Sequence, residues 1–202
     1  MYSTQVQNGL YLIQKNGKQL LTPGGTAVKS SIKVLAERLV TDLECYGEDP
    51  GDPVSLVAFH YSMLDYFVDA PIKTIQCQLT DSFDPEWDWT LTCPTAYPHN
   101  MFKWWELFGM NGMNVDKGVE WLKTLSMMQL CAVTIVTAYT GSVNIAFIVA
   151  TVLNKSDLKK FVKEVNKWNK FESQSDLLKV FENYLFYFNE GAEPERMGPD
   201  EI

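Results

Sequence analysis

Apolar and polar positions near the start of the chain follow the pattern of a β-hairpin. The apolar run Leu10-Tyr11-Leu12-Ile13 and the segment Gln19-Leu20-Leu21 flank Asn16-Gly17. Asn-Gly supplies the two residues of positive φ that a tight hairpin turn needs. Thr22-Pro23-Gly24-Gly25 then turns the chain again. We therefore expect residues 1–30 to form a small β-rich N-terminal part.

Apolar residues spaced by three and four positions predict two helices in the next segment. Ser30 or Ser31 is placed to cap the first helix, which ends near Cys45. Asp52-Pro53 is placed to start the second helix, which ends near Phe67.

Two short segments beyond Pro71 have the character of strands. Residues 72–79 are extended and alternating in pattern, and residues 87–91 form a second short run. Residues 31–98 are therefore predicted to be helices and short strands that link the N-terminal part to the rest of the chain.

Residues 99–188 have the pattern of an α-helical domain. Asn100 is placed to cap a short helix. Longer apolar stripes follow at residues 119–139, 142–153, 156–170 and 175–188. Residues 189–202 hold five acids against Arg196 and are predicted to be a disordered acidic tail. The predicted fold class is α+β, with a small β-rich N-terminal part made of hairpins and a larger α-helical C-terminal domain.

The helices at 119–139 and 142–153 raise the question of a membrane span. Residues 124–154 contain no charged side chain, and a segment of that length could cross a bilayer. Its Thr, Ser and Asn side chains and the break at Thr140-Gly141-Ser142 favour instead a helix hairpin that is buried by protein. Membrane contact is expected to be at most peripheral.

The composition narrows the classes of partner and cofactor. The 202 residues carry a formal net charge of -8, which argues against nucleic acid as a partner because phosphate binding needs a basic surface. Only His60 and His99 are available to a multi-histidine metal site, so we expect no metal and no cofactor. Four cysteines without a CxxC spacing fit a reducing compartment, with two disulfides as the alternative.

The motifs do not combine into a catalytic site. Ser156-Asp157-Leu158-Lys159 has the serine–lysine spacing of β-lactam-binding enzymes, but the partner motifs are missing and an N-cap serine explains it. His60 and Asp65 are five residues apart on one predicted helix and do not face each other. We therefore expect a protein without enzymatic activity.

The remaining candidate residues are suited to binding another protein. Lysines surround the apolar stripe of the helix at 156–170, and the last helix carries more aromatic residues than one buried face needs. The alternative for the lysines is the solvated outer surface of a helix bundle. Two adjacent tryptophans cannot both point inward. The predicted partner-binding residues are Trp104, Trp105, Lys159, Lys163, Lys167, Trp168, Phe186 and Phe188.

An ordered set of short motifs resembles one known family. In the hairpin, Gly9-x-Tyr11-x-Ile13 precedes Asn16-Gly17-Lys18-x-Leu20-Leu21-Thr22-Pro23-x-Gly25. Further elements follow in the same order: Leu35-Ala36-Glu37, Leu64-Asp65, Gln76-Cys77-Gln78, Phe108-Gly109, Gly118 and Thr140-Gly141-Ser142. Over about residues 9–153 the chain resembles the assembly chaperones that hold the newly imported alpha subunit of the F-type ATP synthase catalytic head.

The resemblance implies a non-catalytic assembly chaperone in the mitochondrial matrix or on the matrix face of the inner membrane, or in the bacterial cytoplasm. Its partner would be the ATP synthase alpha subunit, whose assembly surface it would cover until the beta subunit takes its place. The lysine-rich stretch 156–170 departs from an acidic helix of that family. The alternative is therefore a chaperone-like fold kept as a structural accessory subunit of a mitochondrial ATP synthase or respiratory membrane complex.

Overall fold

A computed structural model describes most of the chain and confirms the α+β class. The described residues are 1–49, 52–84, 86–91, 115–154, 156–168, 171 and 173–191. Within them, four short antiparallel strands are followed by eight α-helices. The predicted helix at Asn100, the tryptophans Trp104 and Trp105, and residues 192–202 of the predicted acidic tail lie outside the described residues. The division of the chain at residues 30, 98 and 188 stays a prediction.

The N-terminal sheet is built around its second strand. The strands are β1 (Tyr2–Gln7), β2 (Leu10–Lys15), β3 (Lys18–Gln19) and β4 (Lys29–Ser30). β2 pairs with the other three, all antiparallel. The predicted turn at Asn16-Gly17 is confirmed, with φ of 51° and 76°. Asn8-Gly9 makes a second turn of the same kind, with φ values of 50° and 76°. Turns of this kind suit a hairpin because their backbone twist matches that of the flanking strands.

Two helices follow the sheet, and both begin at positions other than the predicted ones. α1 is Lys33–Tyr46 and ends at Gly47, whose φ is 80°. Ser30 does not cap it; its hydroxyl accepts from the backbone N–H of Ile32 in a turn before the helix. α2 is Leu56–Ser62, and its cap is Ser55 rather than Asp52, because the Asp52 side chain already accepts from the backbone N–H of Val54.

α2 continues without a break into a π-helical turn, Met63–Phe67. The predicted end near Phe67 is thus confirmed. The start of α2 receives a second cap from α1, since the buried carboxylate of Asp42 accepts from the backbone N–H of Leu56 at 2.8 Å. The Asp42 carboxylate also accepts from Arg38 Nε at 3.1 Å.

The two predicted strands beyond Pro71 are wrong. Residues 72–79 belong to a helix, α3 (Ile72–Asp81), which starts directly after Pro71. Ile75 and Leu79 lie four positions apart and turn toward the core, which is the helical period rather than the strand period. Residues 87–91 form successive turns instead of a strand.

The helical part contains α4 (Val115–Lys123), α5 (Met127–Thr140), α6 (Val143–Thr151), α7 (Leu158–Trp168) and α8 (Gln174–Glu190). The single helix predicted at 119–139 is wrong, because Ser126 and Gln129 form a capping box that starts α5 anew. The cap of α8 is Ser173 rather than Ser175. The predicted break at Thr140-Gly141-Ser142 is confirmed, with Gly141 at φ 69° and Ser142 as the cap of α6.

The core is a cluster of buried apolar side chains shared by the sheet and the helices. It extends from Ile13 of β2 to Phe188 of α8. The hairpin of α5 and α6 packs on α8, and α7 packs on α8 as well. No helix in the described part of the chain has both the length and the apolar character that a membrane span requires.

Candidate protein-binding surfaces

Helix α7 carries a stripe of exposed cations, which we call the lysine face. It consists of Lys159, Lys160, Lys163 and Lys167. The opposite side of α7 is apolar and lies in the core, where its residues are Leu158, Phe161, Val162 and Val165. Because the apolar stripe is already covered by the protein, α7 offers a partner charge rather than apolar area.

The lysine face is largely free of internal counter-charges. Lys167 Nζ pairs with Glu164 at 2.6 Å, three residues earlier on the same helix. Lys159, Lys160 and Lys163 make no ion pair with any residue that the structure describes. The predicted roles of Lys159, Lys163 and Lys167 in partner binding stay predictions, with the first two freer to bind than the third.

The aromatic residues of α8 are less available than the sequence pattern indicated. Phe188 is only 8% exposed, and its ring stacks on Trp121 with 5.9 Å between centroids. Its assignment to an exposed surface is therefore wrong, because Trp121 of α4 fills the space beside it. Phe186 is half-buried against the core. Trp168 is the last residue of α7.

A second exposed surface, absent from the predicted binding residues, begins within the π-helical turn and continues to the start of α3. Tyr66 is 74% exposed, Val68 56% and Ile72 40%. Tyr66 and Val68 do not lie on the apolar face of the helix that buries Phe67. The helical spacing of the apolar residues in the sequence could therefore have identified them as exposed. A contiguous exposed apolar patch is typical of a protein contact site, and these three side chains lie within seven positions of the sequence.

The π-helical turn also anchors the loop that follows β3. The carboxylate of Asp65 accepts from the hydroxyl of Thr22 and from the backbone N–H of Gly24 at 2.9 Å. A Cβ at position 24 would lie 2.6 Å from the Asp65 carboxylate, so any other residue would force this carboxylate to move. The Thr22-Pro23 motif and Asp65 are far apart in the chain, and the fold brings them into contact.

A buried carboxylate holds the turn between α5 and α6. Asp88 is 1% exposed and accepts from four donors. Two belong to Thr90, its N–H at 3.0 Å and its hydroxyl at 2.6 Å. The others are the Ser142 hydroxyl at 2.9 Å and the Asn144 N–H at 3.0 Å. A negative charge at the first turn of α6 is favourable because it faces the positive end of the helix dipole.

Neither His60 nor Cys131 is suited to acid–base or nucleophilic chemistry. His60 is buried, and desolvation lowers its pKa to about 4. Its Nε2 donates to the carbonyl of Lys29 at 2.8 Å, so its Nδ1 accepts from the hydroxyl of Tyr187 at 3.1 Å. Burial raises the pKa of the Cys131 thiol, which keeps it protonated and unreactive. No group of three or more metal-ligating side chains forms among the residues that the structure describes.

Comparison with known proteins identifies a similar fold. The chain matches no protein-family model and no curated protein. It is similar to the crystal structure of Atu1473 from Agrobacterium tumefaciens, a protein provisionally assigned as a chaperone. The TM-score is 0.64 and the sequence identity 16%, over 93% of this chain and 83% of that chain. A likeness at this identity establishes a shared fold.

Proposed function

We propose that this protein is a non-catalytic assembly chaperone that binds the alpha subunit of the F-type ATP synthase catalytic head before assembly. The observation that carries the proposal is the fold shared with a protein assigned as a chaperone, over 93% of the chain. The client comes from the ordered motifs between residues 9 and 153, which resemble the family that acts on this subunit. The proposed location is the mitochondrial matrix or its membrane face, or the cytoplasm of a bacterium.

The placement of the resembling motifs supports a shared architecture. Thr22 and Asp65, which belong to two separate motifs, are hydrogen-bonded to each other. Gly118 belongs to another and lies so close to Phe83 that a Cβ would be 2.4 Å from the ring. Ser142 belongs to the last and binds Asp88. Residues that stabilise one fold keep their spacing along the chain, which accounts for the order of the motifs.

The physical work of such a chaperone is to cover apolar surface that the free subunit exposes. An unassembled subunit aggregates through this surface, and a better-matched partner releases it. The exposed residues Tyr66, Val68 and Ile72 are suited to contact of this kind, and the lysine face is suited to acidic side chains of the client. We place the client contact on these two surfaces.

Quantitative mass spectrometry of proteins captured with this chain from its native source tests the proposal. A chaperone recovers the alpha subunit, occurs well below the amount of the mature complex and is absent from it after purification. Co-purification at a fixed stoichiometry would instead identify an accessory subunit of the complex. Recovery of neither the alpha subunit nor any bioenergetic complex would overturn both functions.

A matched pair of charge variants tests the site separately from the function. The variant Lys159→Glu/Lys163→Glu reverses two free cations of the lysine face. The control Lys18→Glu/Lys29→Glu makes the same charge change at two exposed positions of the N-terminal sheet. We expect only the first pair to reduce recovery of the client. Equal recovery with both variants would remove the lysine face from the client contact and leave the chaperone function standing.

A further inference from the structure

Strand β1 lies at an edge of the N-terminal sheet, and one side of its backbone points away from β2. In an antiparallel pair, alternate residues turn their N–H and C=O groups away from the partner strand. Ile13 is the partner of Thr4 in the pair of β1 and β2. Both backbone groups of Ile13 bond on the side of β2 away from β1, to Val28 and Leu20, each at 2.9 Å. The backbone groups of Thr4 therefore point to the outer edge of the sheet.

Tyr2 and Val6 share this orientation because the backbone of a strand alternates with a period of two. The Tyr2 N–H agrees with it, since it donates to the Glu44 carboxylate at 2.6 Å instead of to β2. The outward groups of Thr4 and Val6 bond to no residue that the structure describes. The outer edge of β1 therefore offers the carbonyl of Tyr2 and both backbone groups of Thr4 and Val6.

The sequence of β1 lacks the features that commonly protect an edge strand. Edge strands avoid pairing with other chains through charged residues, prolines or bulges. β1 reads Tyr-Ser-Thr-Gln-Val-Gln, without a charge or a proline, and its register with β2 is continuous. Five of its six residues are exposed, and Val6 is 63% exposed. An edge of this kind is a template for a further strand.

A second copy of β1 is a strand that fits this edge. Two antiparallel copies related by a twofold axis at Thr4 place Thr4 opposite Thr4, and Tyr2 opposite Val6. Thr–Thr pairs, and pairs of an aromatic with a β-branched residue, are both favourable across strands. In this register each Thr4 N–H donates to the partner's Thr4 carbonyl, and each Val6 N–H donates to the partner's Tyr2 carbonyl. The contact therefore contains four backbone hydrogen bonds and covers Val6.

The charge of the chain does not oppose this register at the contact itself. The formal net charge of -8 disfavours self-association at long range. The Glu44 carboxylate lies at the Tyr2 end of β1. In the twofold register the two Tyr2 ends are four residues apart, about 14 Å at the rise of a strand. This distance exceeds the Debye length of about 8 Å at physiological ionic strength, so the two carboxylates are screened from each other.

We propose that this chain forms a twofold dimer in which β1 of each copy extends the sheet of the other, with Thr4 at the axis. The contact consists of four backbone hydrogen bonds and three small side-chain pairs. It is therefore reversible and depends on protein concentration. The inference rests on the geometry and composition of β1 and does not depend on the chaperone function.

Sedimentation velocity over a range of protein concentrations tests the dimer. We expect the sedimentation coefficient of the original chain to rise with concentration. Thr4→Pro removes an outward N–H that takes no part in the pairing with β2, so the hairpin keeps its own hydrogen bonds. The dimer loses two of its four bonds, and we expect its affinity to fall by about tenfold or more. The control Thr4→Val keeps the N–H and should dimerise like the original chain.

Charge variants test the register and do not depend on the proline. Thr4→Lys places two cations opposite each other at the axis, and Thr4→Glu places two anions there, so each variant alone should dimerise about threefold more weakly. An equimolar mixture of the two should restore association. Ser3→Lys is the matched control, because in this register residue 3 lies opposite Gln5 of the partner subunit and the added cation does not face its own copy.

The same measurements give the results that would overturn the proposal. A chain that stays monomeric up to about 1 mM has no such dimer. A dimer that Thr4→Pro leaves unchanged lies on another surface, and equal weakening by Thr4→Lys and Ser3→Lys contradicts the twofold register. If Thr4→Pro changes the capture of another protein but not self-association, the edge belongs to a strand of that protein and the proposal fails.

Discussion

The N-terminal sheet and the helix α6 are held to the rest of the molecule in opposite ways. β1 exposes five of its six residues, whereas α6 buries six of its nine. The side-chain contacts of β1 involve Tyr2 and Glu48 at the surface, where water competes for each polar group. The start of α6 instead rests on the buried carboxylate of Asp88. Polar contacts therefore add little to the sheet edge and much to the helical hairpin.

Replacement of Asp88 should cause the largest loss of stability. The variant Asp88→Ala leaves four buried donors on Thr90, Ser142 and Asn144 without their acceptor. We expect a loss of about 3–4 kcal/mol in the free energy of unfolding, measured by urea denaturation at neutral pH. The control Asp81→Ala removes an exposed carboxylate and should change it by less than about 0.5 kcal/mol. Equal losses for the two variants would show that the Asp88 contacts are not what holds the hairpin.

Acid should have the next largest effect, because it weakens the junction between the N-terminal sheet and helix α8. His60 of α2 joins β4 to α8 through Lys29 and Tyr187, and burial lowers its pKa from 6.5 to about 4. Below pH 6.5 His60 binds a proton in the unfolded chain, whereas in the folded chain it stays neutral until the pH approaches 4. Stability is therefore full above pH 6.5 and falls as the pH drops toward 4, by about 3 kcal/mol in total.

The pH dependence of unfolding in the variant His60→Gln isolates this contribution. Other carboxylates also titrate in this range, so the measured quantity is the difference in slope between the original chain and the variant. We expect the variant to lose the part of the slope between pH 6.5 and pH 4. Parallel curves for the two proteins would mean that His60 is protonated in the folded state at an ordinary pH.

A substitution at Gly118 should give the third largest effect. A Cβ at this position of α4 would lie 2.4 Å from the ring of Phe83. We expect Gly118→Ala to cost about 1–3 kcal/mol by overpacking. Without the clash, the same change would stabilise the helix by about 1 kcal/mol, so the sign of the stability change alone tests the contact with Phe83. The double variant with Phe83→Leu should recover part of the loss, whereas strictly additive losses would contradict the contact.

The smallest effect is expected at the sheet edge. Glu48 accepts from Tyr2 and Lys15, and the bond to Lys15 is the main reason that the pKa of Glu48 is lowered. All three groups are in contact with water, so Glu48→Gln should leave the urea midpoint unchanged within error. A loss of stability comparable to that of Gly118→Ala would contradict the claim that polar contacts add less at the sheet edge than in the helical hairpin.

Local signals explain why several elements could be predicted from the sequence. Asn16-Gly17 and Thr140-Gly141-Ser142 each contain a glycine of positive φ, which is a local signal from which the turn can be predicted. The apolar period of α7 likewise separates its buried stripe from the lysine face.

The failures lie where distant residues decide the outcome. Residues 87–91 look like a strand, but Asp88 is bound by Ser142 and Asn144, which lie more than fifty positions later in the sequence. The burial of Phe188 likewise depends on Trp121 of another helix. Residues 72–79 were predicted wrongly for a local reason, since a short apolar run fits the period of a strand as well as that of a helix.

The most direct test of the chaperone account uses three purified proteins: this chain and the alpha and beta subunits of the ATP synthase from the same source. Mixing the chain with the alpha subunit alone should give a complex in light scattering after size-exclusion chromatography. Addition of the beta subunit should release this chain as alpha–beta assemblies form. The absence of any complex with the alpha subunit, or a complex that persists unchanged after the beta subunit is added, would contradict the account.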